Sequence, residues 1–184
     1  MMVGTEHLSG ISAIAAALSG LGAFFVLRHA EATARALAAF PRNRRAGWVL
    51  AAIALIGSAM LVDQMTLGGL SKYKSLLVVI TPVTFYLVTK FLDELLAARA
   101  LGGLLMLIPT FMVDAARWHP SPWRLVVVSV AYIMVIAGIW IVLSPYKFRA
   151  WTSWLMATGG RRTVSGITLV ALAAALAITA VVSR

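Results

Sequence analysis

Six apolar runs, at approximately 8–27, 47–63, 75–91, 100–116, 125–144 and 163–182, constrain this chain more than anything else in it. Each approaches or exceeds the ~17–20 helical residues needed to cross a hydrocarbon core about 30 Å thick. In lipid every backbone N–H and C=O must be satisfied within the protein, so a spanning segment is a helix or part of a closed barrel. The runs lack the strict apolar–polar alternation of barrel strands. The expected fold is therefore all-α, a polytopic transmembrane bundle of about six spans with short interfacial helices, in a single integral membrane domain over residues 1–184. The third and fourth runs are short and polar-tinged.

Composition agrees. Hydrophobic residues make up 61% of the chain and charged ones 12%, against about 25% charged in soluble domains. The mean hydropathy is +0.94. A small globule leaves much of its surface exposed and could not hide so much apolar area from water. The segment "MMVGTEH" lacks the basic start of a signal peptide, so the first run is expected to remain as an uncleaved span.

The net charge of +10 is dispersed between the apolar runs and forms no single face. Nucleic acid, which needs a basic stripe, is not an expected partner. Membrane lipids are, through anionic head groups at the basic connections. Eleven basic residues fall between spans 1–2, 3–4 and 5–6: Arg28, Arg35, Arg42, Arg44, Arg45, Lys90, Arg99, Lys147, Arg149, Arg161 and Arg162. Five fall on the other side: Lys72, Lys74, Arg117, Arg124 and Arg184. The excess of Lys and Arg on cytoplasmic loops predicts an inner-membrane protein with both termini non-cytoplasmic.

The first and third of these connections resemble each other at a constant offset of 119 residues, Arg28–Gly47 lying against Lys147–Gly166. Thr33 then meets Thr152, Ala38 meets Ala157, Arg42 meets Arg161 and Gly47 meets Gly166. Three hairpins of span, basic elbow and span are a possible plan. Each long elbow reads as a helix lying on the membrane, ended in the first case by Pro41, with Arg28, Glu31 and Arg35 on one face. In the other, Phe148, Trp151 and Leu155 recur at helical spacing, with Trp154 beside them. Arg42, Arg44, Arg45, Trp151, Trp154, Arg161 and Arg162 are the residues expected to face lipid head groups.

Helices in lipid meet through small residues that let backbones approach. Span 1 offers Ser12, Ala16 and Gly20 at four-residue spacing, with Ser9, Ala13 and Ala17 alongside; span 6 offers Gly166 and Ala174. Pro82 and Pro109 interrupt spans 3 and 4 at similar expected depths. Each lacks an N–H and crowds the carbonyl four residues earlier, at Val78 and Leu105. Thr81, Thr84 and Thr110 stand close enough to relieve the disturbed backbone. Paired helix breaks can also mark a transport site. Thr81, Pro82, Thr84, Tyr86, Met106, Pro109, Thr110 and Asp114 are the candidate binding residues for that reading.

Asp63 and Asp114 are the acidic side chains best placed for proton or cation handling, Asp114 with Arg117 as its partner. Lys90 can pair with Asp93 or Glu94 at helical spacing. His7, His29 and His119 all lie outside the spans, so a metal site or haem within the bundle is not expected. The absence of cysteine removes disulfide, thiolate and Cys-based metal chemistry. No nucleotide, hydrolase or metalloprotease motif occurs, and neither a cofactor nor an enzymatic activity is expected. "WHPSPW" reads as a tight, proline-stiffened turn with interfacial tryptophans. The expected role is an accessory, scaffold or assembly subunit that pairs with itself or with another membrane protein. The alternative is a small oligomeric transporter or channel built around the two prolines.

Overall fold

The structure is a computed structural model that describes residues 5–66, 68–91, 95–117 and 119–183, the side chains of 5–7 and 68–71 excepted. Within them the fold is all-α. The helices are α1 (Thr5–Arg28), α2 (Ala30–Ala39), α3 (Arg44–Gln64), α4 (Leu77–Phe91), α5 (Leu96–Arg117), α6 (Arg124–Leu143), α7 (Pro145–Met156) and α8 (Gly159–Val182). A 3-10 turn at Phe40–Arg42 follows α2, and a 3-10 stretch at Gly68–Leu76 leads into α4. Six segments are long and apolar enough to cross a membrane: Leu8–Arg28, Arg44–Gln64, Lys72–Phe91, Leu96–Arg117, Arg124–Leu143 and Gly159–Val182. The chain is a multi-pass membrane protein, with the spans where the apolar runs predict them and mostly a few residues longer.

Helix α5 lies at the centre. It packs extensively on α6 and α3, and more lightly on α1. Eight of its residues are buried: Leu96, Ala97, Ala98, Ala100, Gly102, Pro109, Met112 and Ala116. Helices α1 and α8 pair along their length and close the bundle against α5 and α6. Helix α4 is at the edge, packed on α3 and reaching the start of α5 through Phe85 and Val88, and none of its residues is buried.

Small residues set these approaches. A Cβ on Gly138 of α6 would lie 2.7 Å from the Gly102 carbonyl oxygen, and one on Gly102 would lie 2.9 Å from that of Gly138. The α5 and α6 backbones therefore touch, the arrangement small residues allow in lipid. Gly47 brings α3 within 3.0 Å of the Ala97 nitrogen by the same measure. The small-residue faces of α1 and α8 meet each other within one chain: Gly20 faces Ala173, Gly22 faces Leu169 and Gly166 faces Leu27. Of the remaining α1 candidates, Ser12 is buried while Ala13 and Ala17 are exposed, as is Ala174 of α8.

Both long elbows are helices, α2 and α7, and they pack on each other. Phe40 meets Phe148 edge to face at 6.5 Å, over Ala98, Leu101 and Ile141. The basic connections between spans 1–2, 3–4 and 5–6 thus gather at one end of the bundle. At the other end Leu8, Met112, Ala116, Val127, Ala131 and Leu176 form a core of α1, α5, α6 and α8.

Two details correct the sequence reading. The breaks that bound the elbows fall at His29 and Ser144 on entry, and at Asn43 and Thr158 on exit. That register is one helical turn away from the one giving Thr33–Thr152 and Gly47–Gly166, and in it those identities disappear. The span–elbow–span plan recurs structurally without the sequence match that suggested it. In α7 the inward stripe is Pro145, Phe148, Thr152 and Met156. Phe148 therefore belongs to the core, while Trp151 and Trp154 are exposed.

Hydrogen bonds explain how the first elbow turns. The Phe25 carbonyl receives the His29 N–H at 3.0 Å, and Thr33 Oγ1 stands 2.9 Å from the carbonyl oxygens of both Phe25 and His29. A hydroxyl from the next helix thus serves the last turn of α1, whose carbonyls have no intrahelical partner. Pro41 ends the elbow as expected, and Asn43 caps α3 by accepting the Ala46 N–H at 3.1 Å.

Candidate functional site

The residues grouped around the two prolines divide between separate surfaces. Thr81 and Pro82 line a groove of about 520 Å³ between α3 and α4, with Ile56, Ala59, Met60, Asp63, Lys74, Ser75, Leu77 and Val78. No α5 residue contributes to that lining. Pro109 is buried within α5, while Asp114 is exposed near its end. Met106 packs over Gly138 at the α5–α6 crossing, its Cγ 2.8 Å from where a Gly138 Cβ would stand. Tyr86 sits on the exposed face of α4, its hydroxyl accepting from Lys90 Nζ at 3.2 Å. Thr84 and Thr110 are half-buried.

The expected threonine relief is not formed. Hydroxyls that return to a carbonyl three or four residues back belong to Ser12, Ser19, Ser58, Thr89, Thr168 and Thr179, among others. Among the described residues, Thr81, Thr84 and Thr110 make no such bond. Pro82 is exposed on the edge helix α4 and Pro109 is buried inside the central α5, each within a continuous helix.

Lys74 Nζ donates to the Asp63 backbone carbonyl, tying the 3-10 stretch to the end of α3. The Asp63 carboxylate has no ion pair among the described residues. Asp114 likewise has none, so its expected pairing with the Arg117 side chain is not formed, and the Arg117 backbone carbonyl accepts from Arg124 Nη1 at 3.2 Å. The Lys90 pairing with Asp93 or Glu94 lies outside the described residues; Lys90 also stands over the rings of Tyr86 and Phe91 at 5.4 and 5.9 Å.

Arg124 builds the turn between α5 and α6. It donates to the carbonyls of Arg117 and His119, while His119 Nδ1 accepts the Ser121 N–H at 3.1 Å and Ser121 Oγ accepts the Trp123 N–H at 3.3 Å. The buried His119 ring thus offers Nδ1 as an acceptor inside the turn. This histidine is a turn-maker.

At the elbow end, cations and aromatic rings alternate. Arg44 stands 5.3 Å from Trp48, and Arg161 only 4.3 Å from Trp154. Trp151 meets Trp140 edge to face at 6.3 Å. Arg162 Nε donates to the Met156 carbonyl at 2.7 Å, closing α7, and Arg42 and Arg45 are exposed. Each elbow also leaves an apolar crevice against the preceding span. One is lined by Phe25, His29 and Phe40 and holds about 570 Å³; the other is lined by Trp140, Phe148 and Trp151 and holds about 470 Å³.

A further cleft of about 450 Å³ opens between α1, α5, α6 and α8, among Leu18, Phe111, Met134 and Leu176. Its one polar side chain, Ser19, is committed to the Ala15 carbonyl at 2.8 Å. Such a lining offers nothing to an ion. Among the described residues no three His, Asp or Glu side chains converge as metal ligands would. The chain matches no family model, no curated protein and no solved structure.

Proposed function

We propose that this protein is a non-enzymatic accessory or scaffold subunit of the cytoplasmic membrane, with its termini on the non-cytoplasmic side and its elbows against anionic head groups. The observation that carries this reading is the state of α4. A span at the edge of the bundle, with no buried residue and with Val79, Ile80, Val83 and Leu87 all exposed on one stripe, offers a helix face to another membrane protein or to a second copy. The α1 and α8 glycines meet the other helix within the chain, and among the described residues α4 is the one spanning helix that buries none of its own. The arginine and tryptophan pairs suit the head-group zone, where amphipathic side chains anchor. Anionic lipid there adds about 1 kcal/mol for each basic residue near the surface.

A photo-crosslinking residue at Val79 or Val83, in the cell, is expected to give a protein adduct of one discrete mass. The same residue at Ile133 or Ile136 of α6, which faces lipid by the same exposure, should give none. Equal absence of protein adducts from both helices would remove the subunit reading.

The transporter reading draws on the mixed lining of the α3–α4 groove, where Asp63, Lys74, Ser75 and Thr81 meet apolar walls. It expects flux in proteoliposomes that Thr81→Val and Asp63→Asn abolish. The subunit reading expects both variants to behave as the parent.

A further inference from the structure

The geometry points to the α3–α4 groove as the seat of one phospholipid whose head group carries both a phosphate and a primary ammonium. Its long axis follows the helices. Asp63, Met60 and Ile56 descend one face of α3 at helical spacing, and opposite them Lys74, Val78 and Pro82 descend the 3-10 stretch and α4. The groove is thus charged at the end away from the elbows and apolar for two turns below. A phospholipid carries the same gradient, with charge over acyl chain.

Charge decides between head groups. The Lys74 ammonium has three donors, and one goes to the Asp63 carbonyl, which leaves donors for a phosphate. The Asp63 carboxylate is exposed, and no described side chain pairs with it. Its acceptors suit an ammonium that still carries hydrogens. A quaternary ammonium has no N–H to give, and a purely anionic head group would set a second negative charge beside the carboxylate. The groove opens on the bundle wall that faces the bilayer, so lipid reaches it without a portal. This seat is independent of the anionic contacts at the opposite end.

Native mass spectrometry of the delipidated full chain, with added phosphatidylethanolamine, phosphatidylcholine or phosphatidylglycerol, tests it. The parent is expected to retain the ethanolamine lipid about fivefold better than either other, the scale of one charge-assisted hydrogen bond at a wet interface. Asp63→Asn should erase that preference, and Lys74→Gln should lower retention of all three lipids, since each carries the phosphate. Met60→Trp fills the groove without touching either charge, at an exposed position, and should lower retention while helical content stays unchanged. Equal retention of the three lipids by the parent would overturn the proposal. So would a preference for phosphatidylglycerol lost in Lys74→Gln alone, or an ethanolamine preference that survives Asp63→Asn.

Discussion

At Gly138 an added Cβ would sit 2.7 Å from the Gly102 carbonyl oxygen and 2.8 Å from Met106 Cγ, so Gly138→Ala requires the α5 and α6 backbones to separate. Overpacking of this kind costs about 1–3 kcal/mol. At Gly20 the nearest atom is Ala173 Cβ at 3.9 Å, an ordinary contact. There the better helix former should contribute about 0.5–1 kcal/mol of stability. Gly166→Ala falls between, because the clash is with the side chain of Leu27, which is 47% exposed and can turn aside. The unfolding midpoint in detergent should therefore drop for Gly138→Ala, drop less for Gly166→Ala and rise slightly for Gly20→Ala. A common sign for Gly138 and Gly20 would contradict the backbone contact between α5 and α6. The sequence marks Gly20 and Gly166 through spacing within a helix. It cannot mark Gly102 and Gly138, since what distinguishes them is each other, across two spans.

At the scale of the element, α5 is the instructive case. Ala97, Ala98, Ala100, Gly102 and Gly103 crowd its first three turns, and that crowding reflects its position. A helix surrounded by other helices needs small residues for close approach, whereas one facing lipid needs large apolar ones. Small residues mark the centre of the bundle, and exposed Val78, Val79 and Ile80 of α4 mark its edge. The elbows were legible as amphipathic helices, but their inward face was not, because phenylalanine and tryptophan serve equally well against lipid or core. Phe148 is 7% exposed and packs on Phe40, Ala98 and Ile141, so Phe148→Ala should cost about 3–5 kcal/mol and loosen α7. Trp154→Ala, at an exposed position, should cost far less. Thr33→Val removes the hydroxyl from the end of α1, worth about 1 kcal/mol, while Thr33→Ser retains it. Protease nicking at the α1–α2 joint should increase in the valine variant and not in the serine one.

For the whole molecule the question is which end faces the cytoplasm. The packing joins the elbows, with Phe40 against Phe148 and both over the start of α5, at one end of six alternating spans. The cluster of Leu8, Ala116, Val127 and Leu176 lies at the other, with the beginning of α1, the α5–α6 turn and the last turns of α8. These contacts fix which segments share a side, and the distribution of cations proposes which side that is. Eleven of the 16 Lys and Arg lie at the elbow end, and translocation disfavours that end. Because the chain has no cysteine, introduced thiols report without background. Lys72→Cys and Pro120→Cys, at exposed positions, should react with a membrane-impermeant maleimide applied to intact cells. Ala38→Cys and Ser153→Cys, also exposed, should react only after the membrane is opened. The reverse pattern would invert the orientation and leave the bundle intact. A split within either pair would contradict the six-span threading itself, because both members of a pair follow an even number of crossings from each other.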